Sequence, residues 1–256
     1  MGGGGFTMNE RTPALDRFVL ALTEKPVPKV CFLPTASGDH REQVTRFYER
    51  FGGWPCETST ISLFHLGRDR INPVERLLDQ DAIYVGGGSM RNMLAIWREH
   101  GLDGAMRTAW ERGIVLAGLS AGAMCWFEGG VSMSGGAPEA VAGLGFLPGS
   151  LSVHLDGEVE RMPTFRSSVA SGQLPPGYAL DDGAAVLFRG TELAACVVSH
   201  RGARVVRVVP DGAGGVQEQN LPVRLLPGAE GSKEMRAESR GVAEMRELRA
   251  GRRRWD

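Results

Sequence analysis

The chain has 256 residues, 36 of them glycine, and a formal net charge of −1. That length suits one α/β domain with a sizeable core, and the near-neutral balance excludes a general attraction to nucleic acid or to an anionic membrane. No apolar run approaches the roughly 20 residues that span a bilayer, no secretory-type stretch is recognised, and Cys31, Cys56, Cys125 and Cys196 lie too far apart for a CxxC metal site or a disulfide framework. Buried free thiols in a reducing cytoplasm are expected.

The chain opens MGGGGFTMNE. A glycine run of this kind usually follows a strand, yet only Met1 precedes it. It reads either as a flexible tail or as the loop of a first strand, about five residues long, lying before Gly2; the second is the expectation. Residues 29–35 (KVCFLPT) form an apolar strand, and residues 39–51 a helix with Asp39 as N-cap and Gly52-Gly53 as its stop. Residues 58–64 are a second strand. Asn72 caps a short helix with Pro73 at its first position. Residues 81–85 (DAIYV) are a third strand and run into Gly86-Gly87-Gly88. Residues 89–100 and 103–112 are two helix pieces split by Gly101. This alternation predicts a mostly parallel sheet with helices on both faces, a three-layer sandwich whose ligands meet the C-terminal strand ends.

Residues 114–127 read IVLAGLSAGAMCWF. A β-branched strand enters Gly118-Leu119-Ser120-Ala121-Gly122, and a helical run leaves it. A sharp strand-to-helix turn tolerates only small residues two positions either side of its centre, which is the G-x-S-x-G nucleophile elbow. Two readings of these five residues stand: an elbow, or a glycine-rich turn with an incidental serine. The second half changes texture. Residues 129–150 are rich in Gly, Ser and Pro and read as a long loop, 151–155 as a short strand holding His154, and 161–171 as a helix. From 178 to 209 strand follows strand, predicted as antiparallel additions to the sheet. The domain is drawn at 1–228, with a charged tail at 229–256.

A serine hydroxyl is a weak nucleophile without a base. Of the five histidines, His40, His65, His100 and His200 suit surface positions. His154 lies among small and acidic neighbours, 154 − 120 = 34 residues after Ser120, and is favoured as base over a structural histidine. Oxyanion donors are expected from the glycine run, where backbone can approach a ligand closely. Neither a phosphate loop nor a dinucleotide fingerprint fits it, because no Lys-Ser/Thr and no spaced third glycine follow.

Together GLSAGA, YVGGGSMRNML, CFLPTASGD and HLDGE resemble the peptidase E family, the serine-peptidase branch of the class I glutamine amidotransferase-like fold, related to cyanophycinases. The likeness runs from Gly2 to about Val209. It implies Ser120 as nucleophile, His154 as base, amides of Gly88 and Ala121 for the oxyanion, and hydrolysis of small peptides, N-terminal aspartyl dipeptides above all. It also implies binding contributions from Gly87 and Ser89, with Ser89 standing where the family has asparagine. Where the amidotransferases carry a cysteine this chain has Ser120, and Cys125 is over a helical turn away. The family's acidic residue after the elbow falls on Met133, which cannot orient an imidazole. Glu158, Asp156 and Glu139 are the substitutes considered, Glu158 first. Arg91, Arg161 and Arg166 are candidates for an acidic substrate side chain. A β-aspartyl, cyanophycinase-like specificity and a catalytically impaired binding member are the alternatives. No metal or cofactor is expected, the partner is a small peptide, and the chain is a monomer or homodimer.

Overall fold

Short β-branched apolar segments separated by amphipathic helices build the first half. In the computed structural model, which describes residues 1–7, 13–66 and 72–228, helix α1 (Ala14–Ala21) precedes strand β1 (Lys29–Leu33), helix α2 (Arg41–Phe51) and β2 (Glu57–Thr60). Helix α3 (Pro73–Leu78), β3 (Ala82–Val85), α4 (Met90–Glu99), α5 (Leu102–Glu111) and β4 (Val115–Gly118) follow. The strands pair in parallel in the order β2-β1-β3-β4. Alternate strand residues enter two apolar layers. Val30, Phe32 and Tyr84 pack with Phe6, Phe47 and Phe51 on one face. Cys31, Leu33, Ile83 and Val85 pack with Met93, Trp97 and Trp126 on the other.

After the elbow the structure departs from expectation. The helical run is one turn, α6 (Ala121–Met124), and the chain at once becomes β5 (Phe127–Ser132). The segment expected as a loop holds β5, β6 (Glu139–Ala142) and the start of β7 (Leu147–Ser152). Two of its glycines are required by crowding: a Cβ on Gly130 would lie 2.4 Å from the Leu151 carbonyl oxygen, and one on Gly143 would lie 2.1 Å from that of Phe127. Then come α7 (Arg161–Ala170), β8 (Gly177–Leu180), β9 (Ala184–Arg189), β10 (Glu192–Val198), β11 (Val205–Pro210), β12 (Val216–Asn220) and β13 (Arg224–Leu225). These make a six-stranded sheet, β12-β11-β8-β7-β5-β6, and a three-stranded one, β13-β10-β9. The late strands are mostly antiparallel as expected, but β8 lies parallel to β7, and β7 parallel to β5. The α/β class therefore holds, with antiparallel strands added late.

The opening glycines are buried rather than a loose tail. Gly2 N–H donates to the Ala184 carbonyl (2.9 Å), and the Met1 ammonium donates to the Gly118 carbonyl (2.9 Å). Residues 229–256, expected as a charged tail, lie outside the described residues. Among the described residues no helix is long and apolar enough to cross a membrane.

Candidate active site

Ser120 sits at the end of β4 with φ 53° and ψ −118°, a sparsely populated conformation for a residue with a side chain. The flanking glycines are required by backbone contact. A Cβ on Gly118 would stand 2.0 Å from the Gly122 carbonyl oxygen, and one on Gly122 would stand 2.4 Å from that of Val85. The elbow reading is thereby selected over the incidental serine.

His154 follows β7 by two residues and also has positive φ, 58°. Its Nε2 lies 3.0 Å from Ser120 Oγ, and its Nδ1 lies 2.5 Å from Asp182 Oδ1. A carboxylate only accepts, so Nδ1 carries the proton and Nε2 is left to accept from the serine hydroxyl. Both Ser120 and His154 are buried. Asp182 stands just beyond β8, and its own loop is firmly held. The Asp182 N–H donates to Asp156 Oδ1 (2.9 Å), and its carbonyl accepts from His200 Nε2 (3.0 Å). Asp181 next to it takes two bonds from the Arg204 guanidinium, at 2.9 and 3.1 Å. Burial first, and the neighbouring charges of Asp182 and Asp181 second, push the Asp156 carboxyl above its ordinary range.

The third position is therefore corrected: Asp182, not Glu158, faces the imidazole. The turn that begins at His154 closes with the Glu158 N–H on the His154 carbonyl (2.7 Å). That turn delivers the Glu158 side chain to the start of α7, where its carboxylate accepts from Arg161 Nε. Arg161 also donates through Nη1 to the Val131 carbonyl (2.5 Å). Met133, just past β5, is buried. Asp156 enters only through the backbone of Asp182, and Glu139 pairs with Arg91.

Gly87 lies against the nucleophile, so close that a Cβ there would be 3.2 Å from Ser120 Cβ. Gly88 has φ 145°, and a Cβ on it would stand 2.1 Å from the Ala36 carbonyl oxygen. The Ala121 amide is the first of α6, and a first-turn amide has no acceptor within its own helix. Ser89 is committed elsewhere: its hydroxyl accepts the Asn92 N–H (3.2 Å) as the N-cap of α4. The three candidate arginines all carry carboxylate partners. Arg161 pairs with Glu158 inside the fold, Arg166 with Glu218, and Arg91 with Glu139 at 2.9 Å. Cys125 is buried and donates to the Gly122 carbonyl (3.2 Å), and burial drives its thiol well above the ordinary value. It is no thiolate nucleophile.

A serine on a strained elbow, an imidazole on its hydroxyl and a carboxylate behind the imidazole, all just past strand ends of an α/β fold, form the arrangement of a serine hydrolase. The sequence profile of peptidase family S51 matches residues 1–196, and the chain belongs to that family. It is 43% identical over 226 residues to the Bacillus subtilis (strain 168) protein called uncharacterized peptidase YgaJ, covering 88% of this chain and 97% of that one. The crystal structure of a peptidase from an acI-B1 Actinobacterium shares the fold, with a TM-score of 0.64 at 22% identity, over 87% of this chain and 92% of the other.

Proposed function

We propose that this serine peptidase cleaves short peptides through Ser120, with His154 as general base and Asp182 as the carboxylate that orients it, and that dipeptides with an N-terminal aspartate are among its substrates. The observation that carries the reading is the continuous line Ser120 Oγ, His154 Nε2, His154 Nδ1, Asp182 Oδ1, at 3.0 and 2.5 Å. In the reaction His154 Nε2 takes the hydroxyl proton as Ser120 Oγ attacks the scissile carbonyl. Asp182 keeps Nδ1 protonated and stabilises the imidazolium. The amides of Gly88 and Ala121 bind the oxyanion, the imidazolium returns its proton to the leaving amine, and water then releases the acyl group by the reverse path.

Support for an aspartyl substrate comes from Arg91, two residues beyond Ser89 and more than half exposed. Its pair with the partly exposed Glu139 is of the kind worth about 0–1 kcal/mol, so a substrate carboxylate can take the guanidinium over. A fluorophosphonate probe should label the protein and fail to label Ser120→Ala. Asp-Leu should be cleaved faster than Leu-Leu, and Arg91→Met should raise KM for Asp-Leu alone. Absence of labelling refutes the nucleophile; equal rates on the two dipeptides refute the specificity while leaving the nucleophile standing.

A further inference from the structure

The reactivity of Ser120 and His154 depends on where the Asp182 carboxylate stands, and Asp182 lies in the turn between β8 and β9 rather than in a strand. A turn residue is mobile unless its backbone polar groups are taken up. Here side chains take up both. The Asp182 N–H donates to Asp156 Oδ1 (2.9 Å), and the Asp182 carbonyl accepts from His200 Nε2 (3.0 Å). A carbonyl only accepts, so Nε2 of His200 carries the proton.

The two side chains come from different parts of the fold. Asp156 lies two residues after His154 in the same turn, and the Leu155 N–H between them donates to the Leu180 carbonyl (3.0 Å). A ring of contacts results. It runs from the His154 imidazole to the Asp182 carboxylate, through the Asp182 N–H to the Asp156 carboxylate, and back along the chain to His154. Base and acid are thus tied through backbone as well as through their own side chains. His200, expected at the surface, is half-buried in the connection between β10 and β11. Its ring lies over Gly183, where φ is 75° and a Cβ would stand 2.6 Å from both Cδ2 and Nε2 of the imidazole. Next to it, the Ser199 N–H donates to the Gly183 carbonyl (2.8 Å). The charged and titratable groups around the Asp182 peptide are therefore His154 and Asp156 from the turn after β7, Asp181 beside it, and His200 and Arg204 from the β10–β11 connection.

We propose that Asp156 and His200 are positioning residues of the reaction, a pair that grips the Asp182 peptide at its N–H and its carbonyl and so sets the carboxylate on His154 Nδ1. Both act through Asp182. The proposal rests on the Ser120–His154–Asp182 triad of the proposed function and is independent of the substrate's identity. A shift of about 1 Å at a reacting group costs on the order of 10² in rate, and loss of the orienting carboxylate about 10⁴, which is the ceiling for anything that acts through Asp182.

The test uses Asp156→Ala and His200→Phe. The Asp156 side chain is exposed, and phenylalanine keeps a ring over Gly183 while lacking the donor, so both changes spare the fold. On a dipeptide that the wild type cleaves, each should lower kcat at least about tenfold and leave KM within about twofold. Each should also move the downfield proton resonance of the His154 Nδ1–H. Asp156→Asn keeps an acceptor oxygen and His200→Gln keeps a donor N–H, and both should recover most of the lost turnover, which separates the grip from the charge of Asp156. In an Asp182→Ala background Asp156→Ala and His200→Phe should have no further effect, because the group they position is gone. Wild-type turnover in the two single variants overturns the proposal. So does an equal fold-loss with and without Asp182, which would mark a general structural role. Wild-type turnover in Asp182→Ala alone removes the triad itself and the grip with it, a failure distinct from the other two.

Discussion

Asp182 and Glu158 are both acidic, both close in sequence to turns near His154, and chemically they do different work. Asp182 accepts from the imidazole, whereas Glu158 neutralises a buried guanidinium. Asp182→Asn should therefore cut kcat by about 10⁴ by favouring the wrong tautomer, with KM little changed. Met133→Asp should leave turnover unchanged, because the Nδ1 position is taken; steady-state kinetics on one dipeptide measures both. Asp16 makes a separate prediction. It lies fully buried in the first turn of α1, its Oδ1 accepting from Tyr84 Oη (3.1 Å) and its Oδ2 3.8 Å from Arg50 Nε. Burial raises its carboxyl to about 6, against the opposing pull of Arg50 and Tyr84. The folded state thus holds the proton more tightly than the unfolded chain. The associated stability is fully present below the unfolded value near 4 and is lost as pH rises through about 6. Between those limits wild-type stability should fall relative to Asp16→Asn by up to roughly 3 kcal/mol, read from urea titrations at several pH values.

At the scale of elements, the elbow was legible because its chemistry is local: a β-branched strand, two glycines and a serine within five residues. The same holds for β1, β3 and the helix that Asn72 caps, where Oδ1 accepts from Val74 N–H at 3.0 Å. Helix α2 begins at Arg41 rather than Asp39, whose positive φ of 58° keeps it outside the helix. Strands β5, β6 and the start of β7 were not legible. FEGGVS and LPGSLS carry the residues of loops, and only packing against neighbouring backbone makes them strands. The missed acid has a related cause. Taking β8 as antiparallel points its end away from the site, whereas its parallel pairing with β7 brings Asp181-Asp182-Gly183 to the strand edge where His154 lies. An acidic pair followed by glycine at a strand end was the available signal. Two element-scale outcomes follow. Gly122→Ala must push a Cβ away from the Val85 carbonyl and should lower kcat at least about 100-fold by displacing Ser120. Arg161→Ala takes the guanidinium away from the buried Glu158 carboxylate at the head of α7. It should cost about 3–5 kcal/mol in chemical denaturation, with part recovered in Arg161→Met/Glu158→Gln.

Across the whole molecule, the reacting groups are divided between sheets. Ser120 hangs from β4 in the four-stranded sheet, while His154 and Asp182 hang from β7 and β8 in the six-stranded one. The opening residues tie the end of β4 to the turn between β8 and β9. The Met1 ammonium reaches Gly118, Gly2 N–H reaches Ala184, and Gly183 N–H donates to the Gly3 carbonyl (3.0 Å) beside Asp182. A displacement of about 1 Å at a reacting centre costs on the order of 10² in rate, while one buried cluster runs across the division, from Cys31, Ile83 and Val85 to Leu151, Leu180 and Val205, and holds the sheets together through such a shift. Turnover is accordingly a strain gauge for this clasp. In rising urea the rate should collapse at a lower concentration than the far-ultraviolet circular dichroism, leaving a window in which the protein is folded and idle. Proteolytic trimming of the first three residues should open that window in plain buffer, silencing the enzyme without melting it.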